Sequence, residues 1–123
     1  MSVKQQVSEP ICPGSQVPER GKFSFAIEYR GQRRDAILIR FKGVVYGYLN
    51  QCAHMPKALD CEHSDIFDET RQYLQCSMHT ICYDPVSGES LSEICAGKKL
   101  TGFKVREEAG WVYLADKRAV LSA

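Results

Sequence analysis

Apolar and polar residues alternate along the first half of the chain in a pattern that predicts β-strands. Apolar side chains occupy every second position of residues 23–29, as expected for a half-buried strand. Apolar runs at 36–41 and 44–50 predict two further strands, joined by a tight turn at Lys42-Gly43. The polar stretch GQRRD around Gly31 predicts the turn between the first two strands. The pattern therefore predicts three successive antiparallel strands.

The second half of the chain predicts shorter strands. The segments QYLQC (72–76), LTGFKV (100–105) and WVYLA (111–115) have strand character, and residues 107–110 between the last two predict a hairpin turn. No stretch shows a convincing helical period. The fold class predicted from the pattern is therefore all-β, built from short antiparallel strands.

A chain of 123 residues and 13.9 kDa predicts one domain. Residues 1–20 contain Pro10, Pro13, Gly14 and Pro18 without periodicity, and we expect an irregular N-terminal arm there. The folded domain is predicted over 21–118, and 119–123 is predicted to be a C-terminal tail.

Charge and hydropathy exclude several classes of partner. The net charge is +1, from 16 basic and 15 acidic residues, which gives no overall attraction to nucleic acid or to an anionic membrane. No apolar run is long enough for a transmembrane helix, and the first residues lack the apolar stretch of a secretory signal. We therefore expect a cytoplasmic protein, with neither a membrane nor a nucleic acid as partner.

Cysteine and histidine are concentrated in two segments without strand pattern, 51–67 and 77–81. Six cysteines in a chain without a secretory signal favour metal or cofactor binding over disulfides. The first segment contains Cys52-Ala53-His54 and the second contains Cys76-Ser77-Met78-His79. Each segment therefore offers one thiolate and one imidazole, both of which are ligands for soft or borderline metals.

The spacing leaves two kinds of centre open. Two thiolates and two imidazoles suit a dinuclear [2Fe–2S] cluster, with the thiolates on one iron and the imidazoles on the other. The same set suits a structural zinc ion. Zinc sites more often use matched Cys–Cys and His–His pairs, whereas each segment here supplies one of each, so the spacing favours the cluster.

The residues around these ligands resemble the Rieske [2Fe–2S] domain family, over roughly 22–115. The family's two loops read approximately C-P-H-x-G-x-x-L and C-P-x-H-G. Asn50 and Leu59 flank the first pair here as they do in the family, and Tyr83-Asp84 follows the second pair at its aromatic-Asp position. Further matching positions are Ser87-Gly88-Glu89, Leu100, Phe103, Val105 and the run from Gly110 to Leu114.

The resemblance implies a Rieske-like antiparallel sandwich with two cluster-binding loops. It implies one [2Fe–2S] cluster per subunit, held by four ligands that are also its metal-binding residues: Cys52, His54, Cys76 and His79. It places four further residues around the cluster: Tyr83, Thr80, Met55 and Met78. Tyr83 is expected to donate its hydroxyl to a cysteine sulfur, while Met55 and Met78 either shield the cluster from water or form a partner face.

The sequence departs from the family pattern at several loop positions. Ala53 and Ser77 stand where the family usually has proline, and Pro56 and Thr80 where it usually has glycine. The spacer between the loops is longer than usual, with an apparent insertion in DCEHSDIFDE (60–69).

The inserted segment contains a second C-x-H, Cys61-Glu62-His63, which is an alternative ligand pair. We favour Cys52 and His54, because that pair alone has the family's Asn before it and Leu after it. The remaining cysteines, Cys12, Cys82 and Cys95, are expected to be reduced thiols, inert where buried.

The family's high-potential members carry a disulfide between the loops and a serine that donates to a bridging sulfide. The two disulfide cysteines correspond to Lys57 and Met78 here, and the serine corresponds to Ile81. This chain can therefore form neither that disulfide nor that hydrogen bond. Fewer donors destabilise the reduced state, so we expect a low midpoint potential.

Three functions follow from these observations. The first is a Rieske-type ferredoxin, a non-catalytic carrier of single electrons from a reductase to an oxygenase or similar acceptor. The second is an accessory subunit of a reductase, resembling the small subunit of nitrite reductases. The third is a zinc-stabilised interaction module. The four ligands favour the ferredoxin, while the oligomeric state stays open.

Overall fold

A computed structural model describes residues 9–52, 58–59, 66–76, 81–91 and 97–121. Within these residues the regular structure is antiparallel β-sheet, with a short 3-10 helix at Gly14–Gln16 and no α-helix. The all-β prediction is therefore confirmed. In chain order the strands are β1 (Glu9–Pro13), β2 (Lys22–Tyr29), β3 (Gln32–Phe41), β4 (Val44–Leu49), β5 (Leu74–Gln75), β6 (Cys82–Tyr83), β7 (Gly102–Phe103), β8 (Val105–Glu108), β9 (Trp111–Leu114) and β10 (Ala119–Leu121).

The largest sheet has five strands in the order β10-β2-β3-β4-β7. Its centre is the predicted meander of β2, β3 and β4, each pairing with the next. The turn between β3 and β4 is Lys42-Gly43, with φ values of 52° and 82°. Positive φ at both central residues belongs to the hairpin turn whose twist matches the strands, and glycine at the second position adopts it without steric cost.

A three-stranded sheet, in the order β1-β9-β8, packs on one face of the five-stranded sheet. Apolar side chains from both sheets form a first core, which includes Cys12, Ile27, Leu38, Val112 and Leu114. Two sheets that bury one face each against the other make a sandwich. The predicted antiparallel sandwich is therefore confirmed.

Strand β3 is buried on both faces, which explains its unbroken apolar run. Ala36 and Leu38 lie in the first core, whereas Ile37 and Ile39 point to the opposite face and belong to a second core. Successive side chains of a strand point to opposite faces, so a strand covered on both sides needs apolar residues at every position. The second core includes Cys52, Cys76 and residues of the β5-β6 hairpin.

Two predicted boundaries are wrong. Glu9–Pro13 lies in the predicted irregular arm, yet it forms β1 and pairs with β9. Ala119–Leu121 lies in the predicted tail, yet it forms β10 and pairs with β2. Proline had argued against a strand at residues 10–13, but β1 is an edge strand, where a missing N–H can face away from the ladder.

Two strand assignments also need correction. The turn expected over GQRRD is confined to Arg30-Gly31, and Gln32 already begins β3 because the β2-β3 ladder continues to the pair Tyr29–Gln32. The predicted strand at 100–105 is divided between β7 and β8, which lie in different sheets. At the crossing point the Lys104 N–H donates to the Asp116 carboxylate at 2.9 Å instead of continuing a ladder.

Candidate metal centre

The first cysteine loop leaves the sheet at the end of β4 and is closed by Asn50. The Leu59 N–H donates to Asn50 Oδ1 at 2.8 Å, and the Asn50 N–H donates to the Asp35 carbonyl at 2.9 Å. Leu59 itself is fully buried in the second core. The asparagine and the leucine that carried the family resemblance therefore have a physical role, since together they bring the two ends of the loop against the sheet.

The second cysteine segment follows the first strand of a short hairpin, β5-β6. Leu74 pairs with Tyr83 and Gln75 with Cys82, and the Cys76 N–H donates to the Ile81 carbonyl at 2.9 Å. Cys76 is therefore the first residue of the loop. A hairpin base fixed by these hydrogen bonds holds the cysteine backbone in one position.

Both predicted cysteine ligands are buried in the same core. Cys52 is 2% exposed, Cys76 is fully buried, and both belong to the second core together with Leu74, Ile81 and Tyr83. Buried thiols among apolar side chains match the donor chemistry of a sulfur-rich metal centre. Ile81 is 2% exposed and carries no hydrogen-bonding group in its side chain, as the argument for a low potential requires.

Tyr83 provides the polar contact to one of these sulfurs. Its ring is fully buried, and its hydroxyl oxygen lies 3.2 Å from Cys52 Sγ. A metal-bound thiolate has no proton, so the phenol O–H is then the donor. This contact joins the second loop to the first, and it gives Tyr83 the partner that the sequence predicted for it.

Tyr48 and Asp84 hold the turn that follows Tyr83. The Tyr48 hydroxyl donates to the Pro85 carbonyl at 2.7 Å, and burial, with a smaller effect of the Asp84 charge, raises the pKa of Tyr48 well above its usual value. The hydroxyl therefore stays protonated as a donor. Asp84 Oδ1 accepts the Val86 N–H at 2.8 Å, and the Gly88 N–H donates to the Asp84 carbonyl at 2.7 Å. These bonds build the turn over residues 84–89.

The last part of the predicted insertion belongs to the core, which sequence reasoning missed. Ile66 and Phe67 are buried beside the two cysteines in the second core. The following turn is tied to the N-terminal region, because Arg71 and Arg20 each donate a guanidinium hydrogen bond to the other's backbone carbonyl. Two apolar residues at 66–67 beside a polar stretch were the only signal of this packing in the sequence.

Several predicted site residues lie outside the described residues. These are His54, Met55, Cys61, His63, Met78, His79, Thr80 and Cys95. Among the residues that the structure describes, no group of three or more His, Cys, Asp or Glu side chains is close enough to hold a metal ion. The histidine half of the ligand set is therefore a prediction from the sequence.

Two other cysteines, Cys12 and Cys82, are also described by the structure. Cys12 is buried in the first core, where desolvation raises the pKa of its thiol, and it forms no disulfide. Cys82 is half-buried, and burial also raises the pKa of its thiol. Raised values keep both as thiols at neutral pH, as expected for inert side chains.

Surface cavities lined by the described residues include a larger and a smaller one. The larger, of about 670 Å³, runs along β4 and β7, and neither Cys52 nor Cys76 lines it. The smaller, of about 380 Å³, is lined by Cys52 itself together with Gln51, Arg34, Lys98 and Lys99. The smaller cavity therefore borders one of the two candidate cysteine ligands.

The family model of the Rieske [2Fe-2S] domain matches residues 8–104. The chain belongs to this family. The cofactor of the Rieske family is a [2Fe–2S] cluster, and the two buried cysteines and the Tyr83 hydroxyl fit such a group. No curated protein sequence matches the chain significantly.

Solved structures share the Rieske fold with this chain at low sequence identity. The ferredoxin of carbazole 1,9a-dioxygenase from Nocardioides aromaticivorans IC177 is similar with a TM-score of 0.69 and 18% identity, over 90% of this chain and 99% of that chain. A chain in the complex of reduced oxygenase and oxidized ferredoxin in carbazole 1,9a-dioxygenase is similar with a TM-score of 0.69 and 19% identity, over 93% and 97%. A chain in the reduced complex between oxygenase and ferredoxin is matched over 28% of its length, with the same TM-score and 18% identity.

No helix among the described residues is long and apolar enough to cross a membrane.

Proposed function

We propose that this protein is a Rieske-type ferredoxin that carries single electrons to an oxygenase or a similar redox partner. The observation that carries the proposal is the pair of buried cysteines, Cys52 and Cys76, one of them in contact with the Tyr83 hydroxyl. The solved structures that share its fold include a ferredoxin and ferredoxin–oxygenase complexes, which supports the same role.

We assign four residues to hold the [2Fe–2S] cluster: Cys52, His54, Cys76 and His79. When bound, the cluster supplies a site that accepts and releases one electron at a time. The chain contributes the apolar surroundings of the two sulfurs, which exclude water, and the Tyr83 hydrogen bond, which favours negative charge on Cys52 Sγ. The low potential expected from the sequence agrees with the side chain of Ile81, which cannot donate a hydrogen bond.

Metal and sulfide analysis, together with low-temperature EPR of the dithionite-reduced protein, tests the proposal. We expect about two irons and about two sulfides per chain, together with the low average g value of a centre with mixed His and Cys ligands. Zinc without sulfide and without an EPR signal would make the protein an interaction module. A reductase subunit that co-purifies in fixed ratio would instead identify an accessory subunit.

Serine substitutions test the cysteine assignment. Cys52→Ser and Cys76→Ser are expected to abolish the cluster spectrum and to destabilise the fold, whereas Cys61→Ser should leave the spectrum intact. Circular dichroism of each variant separates loss of the cluster from loss of the fold. If Cys61→Ser alone removes the spectrum, the second C-x-H supplies the ligand.

Alanine substitutions test the histidine assignment in the same way. His54→Ala and His79→Ala are expected to lose or degrade the cluster, and His63→Ala is the matched control. A spectrum that survives in both ligand variants would contradict the mixed-ligand centre.

We place the protein in the cytoplasm, where reducing conditions keep cysteines available as thiolates for the cluster. Fractionation of the native host followed by immunodetection tests this placement.

A further inference from the structure

The cavity beside Cys52 gathers positive charge from two distant parts of the chain. Arg34 comes from β3, while Lys98 and Lys99 come from the segment that leads into β7. In the sequence, Arg33-Arg34 and Lys98-Lys99 are two separate pairs of adjacent basic residues. The structure instead places Arg34, Lys98 and Lys99 around one cavity of about 380 Å³, which we call the basic cleft.

Backbone hydrogen bonds bring these segments against the first cysteine loop. The Leu49 N–H donates to the Thr101 carbonyl at 2.8 Å on one side, and the Asn50 N–H donates to the Asp35 carbonyl at 2.9 Å on the other. The end of β4 therefore lies between the two sources of positive charge. Gln51 and Cys52 follow directly and form part of the cleft wall.

The Arg34 guanidinium is held in place by the residue that precedes the cysteine. It donates a hydrogen bond to Gln51 Oε1. This amide oxygen is neutral, so the bond orients the guanidinium without cancelling its charge. A planar guanidinium in a fixed orientation suits carboxylate recognition.

No carboxylate neutralises the cleft in the part of the chain that the structure describes. Arg34, Lys98 and Lys99 form no ion pair there, and both lysines are exposed. Glu89 and Lys99 form an isolated backbone bridge, but their side chains do not form an ion pair. The whole chain has a net charge of only +1. The three cations are therefore a local cluster of positive charge on a protein whose surface is not basic overall.

We propose that the basic cleft is the docking site for acidic side chains of the electron-transfer partner. Carboxylates complement its charge, and a carboxylate seated there lies against Cys52, so the partner surface comes next to a proposed cluster ligand. Electrostatic steering of this kind raises association rates and orients the encounter. The inference rests on the proposed function, since it names the chemistry of the partner that exchanges electrons with this site.

Zero-length crosslinking tests carboxylate binding without using the cluster. An N-acetylated peptide of glutamates is mixed with the holoprotein and a carbodiimide, and the modified lysines are mapped by mass spectrometry. We expect the peptide on Lys98 and Lys99 in clear preference to exposed Lys117, and this preference should increase in Glu89→Gln. Equal modification of all exposed lysines would overturn the proposal.

Electron transfer to charged oxidants tests whether the cleft guides a partner to the site. Hexacyanoferrate(III), an anion, takes one electron from the dithionite-reduced protein and becomes hexacyanoferrate(II), which stopped-flow absorbance follows. The double variant Lys98→Gln/Lys99→Gln and the single variant Lys117→Glu lower the net charge by the same amount. They therefore differ only in where the charge is lost.

At about 10 mM ionic strength, where the Debye length is about 30 Å, we expect the double variant to react about tenfold more slowly. Lys117→Glu should react nearly as fast as the wild type. The difference in rate between the two variants should vanish near 1 M salt, where the Debye length is about 3 Å. With a cationic cobalt(III) ammine oxidant the double variant should instead react faster. Equal rates in the two variants would overturn the proposal, as would a shift in midpoint potential that fully accounts for the rate change.

Failure of the proposed function gives a different result. A protein without iron and sulfide has no electron to transfer, and the oxidant experiment then shows no reaction in any variant. The crosslink map still decides whether the cleft binds carboxylates.

Discussion

The hydrogen bond between Tyr83 and Cys52 predicts a specific change in midpoint potential. The Tyr83 hydroxyl lies 3.2 Å from Cys52 Sγ, and both residues are buried. Reduction adds negative charge to the centre and strengthens a bond donated to its sulfur. Tyr83→Phe removes that bond and is therefore expected to lower the midpoint.

The size of the shift follows from the energy of the bond. A hydrogen bond to a charged acceptor contributes about 1.5–3 kcal/mol and one to a neutral acceptor about 0.5–1.5 kcal/mol. One added electron therefore changes the strength of the bond by about 1 kcal/mol. A one-electron couple shifts by about 59 mV for each tenfold change in equilibrium constant, so the expected decrease is about 40 mV.

Tyr48→Phe is the matched control. Tyr48 is also buried, at 3% exposure, but its hydroxyl donates to the Pro85 carbonyl at 2.7 Å and not to a sulfur. It should lose about 1–3 kcal/mol of stability, because a buried carbonyl is left without its donor, yet keep the wild-type midpoint. Redox titration followed by EPR, with thermal denaturation alongside, measures both quantities.

Two results would refute this reasoning. A midpoint that is unchanged or raised in Tyr83→Phe, with the cluster intact by EPR, would mean that the hydroxyl does not stabilise the reduced state. An equal decrease in both variants would mean that the shift comes from general loosening of the second core.

Three further predictions concern the scaffold and the potential. Gly47→Ala should lose about 1–3 kcal/mol of unfolding free energy, because the added Cβ would lie 2.4 Å from the Phe103 ring. Gly102→Ala is the control, since its Cβ would meet only ordinary contacts from 3.5 Å. Chemical denaturation of both variants measures the difference. Asp116→Asn should lose about 1–3 kcal/mol at neutral pH, since the buried carboxylate accepts bonds from Arg118. These bonds hold the pKa of Asp116 well below its usual value of 3.8, so their contribution is present above that pH and is lost as the pH falls through the lower folded value. The stability difference between wild type and Asp116→Asn should therefore shrink in acid, and a constant difference across an acid titration would contradict this. The wild-type midpoint should lie near the bottom of the Rieske range of about −150 to +300 mV, and a titration above about +150 mV would exclude the low-potential assignment.

The pattern of apolar and polar residues predicted the strands whose burial follows one rule along their whole length. Alternation identified β2, which has one half-buried face, and the apolar runs identified β3 and β4. It could not show that β3 is buried on both sides, since an apolar run alone does not say what covers it. It also failed at the two ends of the chain, where β1 and β10 are short edge strands that depend on partners far away in sequence.

The segment 100–105 shows the limit of local pattern most clearly. Its residues have one continuous strand character, but the Asp116 carboxylate takes the Lys104 N–H and the chain passes from one sheet to the other. A carboxylate twelve positions further along the chain decides this, and no window of adjacent residues contains that information.

The sequence by itself predicted the ligands of the candidate centre. The two Cys-and-His segments, Asn50, Leu59 and Tyr83 stand at fixed spacings, and such spacings can be recognised because loop closure and ligand geometry act over a few residues. Only the tertiary structure placed the Tyr83 hydroxyl beside Cys52 Sγ and buried the end of the insertion with both cysteines. It alone gathered Arg34 with Lys98 and Lys99, because contacts between residues distant along the chain depend on how the sheets pair.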